Sequence, residues 1–208
     1  ELIIIDDCST DNTVHIIENF KNDYIKLFKN DENIGHVKTF EKVLGLSKNK
    51  YICLADQDDV WIDGRLQKLE ETIKRENVFL VASNFKVNFE DSKNYIEFLR
   101  LKKSNSRRYL RNIMKIFQGK SAYYGCTMMI DREMLKYILP VPPNVEAHDL
   151  WMVICANVLK SIYHFEEDTL VYRVHSNNSS LIKRNFYKKI RVRYYFCKNI
   201  LKILKRIK

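Results

Sequence analysis

Short apolar, β-branched runs that stop at clusters of aspartate constrain this chain more than any other feature. Leu2–Ile5 runs into Asp6 and Asp7, and Tyr51–Ala55 runs into Asp56, Asp58 and Asp59. Apolar runs of this length without polar alternation mark strands buried on both faces. Helical spacing follows each one. Val14, Ile17 and Phe20 succeed the first run, Val37, Phe40, Val43 and Leu44 share one face of a helix over 36–46, and another helix spans about 64–75. Further strands are expected at 24–28 and 78–83. Alternation of this kind through residue 90 predicts βαβ units and an open α/β sheet. Ligands of such sheets gather at the carboxyl ends of the strands, where these aspartates stand.

Beyond residue 90 the pattern loosens. A basic, polar stretch over 91–108 precedes a helix at 109–117, an extended segment at 123–130 and a helix starting near Asp131 that the prolines at 140–143 end. A helix over 149–160 and a strand at 170–174 follow. A chain of 208 residues, 46% hydrophobic, buries the core of one domain. The five cysteines stand singly, which suits reduced thiols in a cytosolic protein better than a disulfide framework or a zinc site. No run reaches eighteen apolar residues, and no secretory leader is expected from the opening residues. The chain opens on Glu1 and enters a strand at once, so residues are expected upstream.

Asp56, Asp58 and Asp59 repel one another unless a cation or hydrogen-bond donors relieve them. Mg²⁺ characteristically takes one or two carboxylates together with phosphate oxygens. A lone D-x-D is more often a solvated acidic loop, but Asp6 and Asp7 supply a second carboxylate pair at the same sheet edge. Residues 2–13, LIIIDDCSTDNT, resemble the signature of the family 2 glycosyltransferases, an apolar strand running into DD-x-S-x-D-x-T. NIG at 33–35, YICLADQDDVW at 51–61, YGCTMMIDR at 124–132, AHDLW at 147–151 and YRVHSNNS at 172–179 are similar to further blocks of that family, in the same order. The DQDDVW form is most similar to its bacterial rhamnosyltransferase-type members.

The resemblance implies a GT-A (Rossmann-like) nucleotide-diphospho-sugar transferase fold, α/β with a mixed, mainly parallel sheet, over residues 1–182. It also implies that a first strand and helix belong before Leu2, so that this catalytic domain is N-terminally incomplete. Carried over residue by residue, Asp7 and Asp56 would bind the nucleotide sugar, Asp58 and His175 would serve the Mg²⁺ or Mn²⁺, and Asp149 would be the catalytic base. The reaction implied is an inverting transfer from a UDP- or dTDP-sugar, with rhamnose the first candidate, to a saccharide or lipid-linked saccharide of the cell surface. Each role has a plainer rival. Asp149 also suits the N-cap or first turn of a helix, His175 an ordinary loop, and Trp61 and Trp151 packing. Lys38 and Arg173 suit either phosphate or solvent. A catalytically silent membrane-associated fragment and a metal-dependent nucleotide-sugar hydrolase remain alternatives.

The net charge of +10 is a property of the tail. Residues 183–208 carry eleven of the 36 Lys/Arg and no acid, which leaves the body with 25 basic against 26 acidic residues. Bulk charge therefore gives no argument for nucleic acid as a partner. Phe186, Ile190, Tyr194, Cys197, Leu201 and Leu204 recur at steps of three or four, with Arg191, Lys198, Lys202, Lys205 and Arg206 mainly to another side. A basic amphipathic helix of this kind suits an anionic membrane surface, placing the protein in the cytoplasm, peripheral on the inner face of the plasma membrane. An end helix packing on its own domain is the alternative.

Overall fold

The computed structural model describes residues 1–20, 22–89, 97–174 and 186–207. The expected βαβ opening is present. β1 (Leu2–Asp6) pairs in parallel with β2 (Ile25–Lys29), and α1 (Thr13–Asn19) joins them. α2 (His36–Leu46) follows, its buried Leu44 reaching the main core.

The other strands form a second sheet. They are β3 (Tyr51–Cys53), β4 (Val60–Trp61), β5 (Leu80–Phe89), β6 (Met128–Asp131) and β7 (Ile162–Val174), in the order β3-β6-β5-β7-β4. The sheet is mixed, as expected. The long ladders, β1–β2 and β5–β7, are parallel, whereas the short ones, β3–β6, β5–β6 and β4–β7, are antiparallel. Among the described residues β1 and β3 each carry a strand on one side only.

Several strands differ from expectation: β5 runs to Phe89, well past the predicted end at 83, and the extended segment expected at 123–130 contains a 3₁₀ turn at Gly125–Thr127 before β6 begins. β4 is too short to leave a periodic signal. β7 begins eight residues earlier than the predicted 170–174, because Glu166, Glu167 and Asp168 interrupt the apolar pattern. The register between β5 and β7 slips at Ser83–Lys86, and the acids lie beside that slip. Buried Asn84 holds the irregularity, donating to the carbonyls of Glu166 (2.8 Å) and Leu101 (3.1 Å) and accepting from the Leu101 amide (2.8 Å). Arg100 meets Asp168 at 2.5 Å.

Helices cover the sheet. α3 (Arg65–Glu76) packs Leu69 and Ile73 against Val81 and Met129. α4 (Tyr109–Phe117), α5 (Leu135–Ile138) and α6 (His148–Val158) build the main core with Leu80, Met128 and Ile130. α6 is buried on almost every side, as its apolar run from Leu150 to Ala156 requires. Trp151 is a packing residue. It is fully buried and donates its indole N–H to the Ile138 carbonyl at 2.9 Å. α7 (Phe186–Ile207) closes the molecule. Ile203 and Asn199 are buried, and Phe196 and Ile200 pack on the main core. Its Arg206 donates to the carbonyls of Tyr137 (2.8 Å) and Pro140 (2.6 Å) with the guanidinium over the Trp151 ring.

Candidate active site

Asp7 stands just beyond β1, where the chain turns with Cys8 at φ +67°. Its Oδ1 accepts from Asn30 Nδ2 (2.9 Å) and the Ile34 amide (2.9 Å), and its Oδ2 from the Gly35 amide (2.8 Å). Burial works against its ionisation, but the donors at Asn30, Ile34, Gly35 and Thr39 together hold the pKa below the ordinary aspartate value. Asp7 thus buckles the end of β1 to the start of α2. Gly35, at φ +79°, supplies the backbone conformation that this turn needs.

The loop after β3 presents the second acidic group. One potential ligand atom from each of Asp56, Asp59 and Cys126 lies within 4.8 Å of the others. The Asp56 carboxyl is pushed up to about 6, first by burial and then by the charges of Asp59, Asp58 and Asp149. Burial likewise raises Asp59, whose two carboxylate oxygens are buried without a hydrogen-bond partner. The Cys126 thiol is driven far up by burial and by the acids, so it stays protonated. Asp58 lies outside this triad. Its backbone carbonyl accepts from Arg173 Nε, so Arg173 holds the acidic loop against β7.

Asp149 comes from α6. Ala147 occupies the N-cap position and makes no side-chain cap, which leaves Asp149 in the first turn, accepting from the Leu150 amide at 2.7 Å. Burial raises its pKa, against the Leu150 and Gly125 amides and the charge of His36. Because Asp149 in turn raises Asp56, the two carboxyls belong to one electrostatic site. Gly125 fits under this helix end. A Cβ there would lie 3.1 Å from His148 Nε2 and 3.6 Å from the Asp149 Cβ. His148 itself stacks on Phe40 with ring centroids 3.9 Å apart, and burial lowers its pKa to about 3.

The structure therefore unites Asp56, Asp58, Asp59 and Asp149 and places Asp7 at the end of the separate β1–β2 sheet. His175 lies outside the described residues. Sequence reasoning missed Arg65, a buried cation beneath the acids. It donates to the Cys126 carbonyl (2.5 Å), to Thr169 Oγ1 and to Cys53 Sγ (3.5 Å). Its guanidinium lies over the Trp61 ring. Its position in the first turn of a helix with a polar face gave no sign of burial. For a hard divalent cation the carboxylates of Asp56 and Asp59 fit, because both buried oxygens of Asp59 lack a hydrogen-bond partner and a carboxylate oxygen of Asp56 lies within 4.8 Å of one of them. The protonated thiol of Cys126 is not a donor for such an ion.

A mixed α/β sheet with acids gathered at its strand ends is the GT-A architecture. The crystal structure of S. aureus TarS 1-349 in complex with UDP-GlcNAc superimposes with a TM-score of 0.67 at 16% identity, over 99% of this chain and 63% of that one. The family model "Glycosyl transferase family 2" matches residues 1–139, and the chain belongs to that family. Among curated relatives, the Escherichia coli UDP-Glc:alpha-D-GlcNAc-diphosphoundecaprenol beta-1,3-glucosyltransferase WfaP is 29% identical over 88% of this chain and 69% of its own length. The Shigella flexneri dTDP-rhamnosyl transferase RfbG is 26% identical over 85% of this chain and 63% of its own. The Bacillus subtilis putative teichuronic acid biosynthesis glycosyltransferase TuaG is 27% identical over 91% and 73%.

Proposed function

We propose that this chain transfers a sugar from a nucleoside diphosphate donor to a hydroxyl of a saccharide or lipid-linked saccharide in cell-surface polysaccharide assembly. One observation carries the reading. In a family 2 chain, carboxyls from two separate segments, Asp56 and Asp59 after β3 and Asp149 on α6, form one site in which burial raises all three pKa values and neighbouring carboxylates raise Asp56 and Asp59 further. Such a cluster suits positive charge and a proton to accept.

Mg²⁺ or Mn²⁺ would be held by Asp56 and Asp59, with Asp58 and His175 as further candidates, and would neutralise the diphosphate leaving group. Asp149 accepts the proton of the attacking hydroxyl as its oxygen bonds to the anomeric carbon and the bond from that carbon to the diphosphate oxygen breaks. A single displacement of this kind inverts the anomeric centre. Asp7 shapes the nucleotide side by fixing the Asn33–Gly35 turn. UDP- and dTDP-sugars are both candidate donors, since relatives named for each are similar to this chain, and dTDP-rhamnose is the first to try.

Calorimetry of the chain with UDP-glucose, UDP-GlcNAc and dTDP-rhamnose, with and without Mn²⁺, tests the reading. At least one donor should bind in a metal-dependent way, and Asp56→Ala and Asp59→Ala should each weaken that binding at least tenfold with the chain still folded. Metal-independent binding unaffected by either substitution would overturn the metal assignment. Donor cleavage equally fast without any acceptor would make the enzyme a hydrolase.

A further inference from the structure

α7 has two apolar faces, and the core uses only one of them. Phe196, Ile200 and Ile203 face inward. Ile190, Tyr194, Leu201 and Leu204 fall on another side at helical spacing and are 45–63% exposed. The sequence singled out this second stripe, and it points to solvent. Beside it runs a band of cations, with Arg191, Lys198 and Lys205 exposed and Lys202 half-exposed. Lys198, Lys202 and Lys205 make no ion pair or hydrogen bond among the described residues. The helix carries eight Lys/Arg and no acid over residues 186–207.

The band ends in an open groove of about 490 Å³ between α2, the 140–143 loop and α7, into which Lys38, Lys202, Lys205 and Arg206 project. Two of these cations are already engaged, Lys38 by Glu41 at 2.5 Å and Arg206 by backbone carbonyls. That leaves Lys202 and Lys205 for an external anion. A neighbouring helix adds apolar surface. α4 exposes Leu110 and Met114 on the same helical line as Phe117, whose ring packs against Phe196 of α7 at 5.4 Å.

We propose that the outward face of α7 is a docking surface for an anionic phospholipid membrane, with lipid phosphates seated against Lys202 and Lys205. Charge selects this occupant. A second copy of the chain would bring an equally basic helix to the same face and be repelled, whereas a phosphate-bearing bilayer offers apolar depth for the stripe and anions for its flank. Among the described residues no helix is long and apolar enough to cross a membrane, so α7 lies on the surface. At 1.5 Å per residue it presents about 33 Å of contact. The proposal does not depend on the identity of the donor or on the metal.

Flotation of the intact chain with vesicles of phosphatidylcholine, alone or mixed with phosphatidylglycerol, tests it. Binding should require phosphatidylglycerol and weaken as salt rises. The triple variant K198Q/K202Q/K205Q should bind about a hundredfold more weakly, at roughly a factor of five per cation. The double variant Y194S/L201S should also lose binding, with its melting temperature unchanged because both positions face solvent. Equal binding to neutral vesicles, or full binding by the triple variant, would overturn the proposal. So would dimerisation of the intact chain that the double variant abolishes.

Discussion

The pKa of Asp56 is shifted upward, opposite to the usual shift of a paired aspartate, and that has consequences at residue scale. Its folded pKa of about 6 lies above its value in the unfolded chain, so the folded state holds the extra proton. The resulting stability is fully present below the unfolded pKa, near 4, and is lost as pH rises through about 6. Without divalent ions the melting temperature should therefore carry a component that falls between pH 4 and 6, and Asp56→Asn should remove it. A variant with the same pH profile as the parent would show that other groups govern it. Added Mn²⁺ should reverse the trend above pH 6, because the metal binds the ionised form. Asp149 invites a different substitution. An Asn oxygen can still accept from the Leu150 amide, so Asp149→Asn should fold normally, but it cannot take the acceptor's proton. Turnover should fall by roughly 10²- to 10⁴-fold while donor affinity stays within error. Near-normal turnover would leave Asp149 as a first-turn acid only.

The elements position these residues through contacts that the sequence shows unevenly. β1 and β3 were legible because apolar runs end abruptly at acids, α2 and α3 because their apolar spacing is regular, and α6 because a long apolar run follows Asp149. Asp7 was singled out by its place at the end of the first apolar run, but not as the acceptor that fixes the Asn33–Gly35 turn, since that depends on a partner 28 positions away. β4 and the first half of β7 were hidden by brevity and by the acids beside the register slip. Arg65 was hidden because a buried arginine looks like any other helix-surface arginine until its partners on β7 and near β6 are known. Gly125 is the most informative element-level case. It meets α6 end-on, and a methyl group there would press on His148, whose ring cannot retreat because it is stacked on Phe40. Gly125→Ala should displace the first turn of α6 by a few tenths of an ångström and lower turnover about tenfold, with donor affinity unchanged. A loss of donor affinity instead would place Gly125 at the nucleotide rather than under the base.

At the scale of the whole molecule, α7 connects stability and surface. The sequence set residues 183–208 apart as a basic appendage, and the charge distribution supports that division. The packing does not, since Ile203 is fully buried and Arg206 bridges α5, the proline loop and Trp151. Burying an aliphatic or aromatic side chain contributes roughly 1.5–3 kcal/mol, so Phe196, Ile200 and Ile203 together contribute on the order of 5 kcal/mol even with partial exposure. That is comparable to the whole stability of a typical domain, about 5–15 kcal/mol. Deleting the chain from Phe186 onward should therefore lower the melting temperature by at least about 10 °C, expose Trp151 and promote aggregation. Ile203→Ala should reproduce part of the effect, at about 2–5 kcal/mol, as a large-to-small change at a fully buried site. Substitutions at outward-facing Tyr194 and Leu201 should leave the melting temperature unchanged. Thermal melts of the three variants followed by circular dichroism make the comparison, and tryptophan fluorescence reports the surroundings of Trp151. A deletion variant melting within about 3 °C of the parent, the shift expected for only about 1 kcal/mol, would show that α7 rests on the core without supporting it. The membrane surface would then be the helix's main physical role.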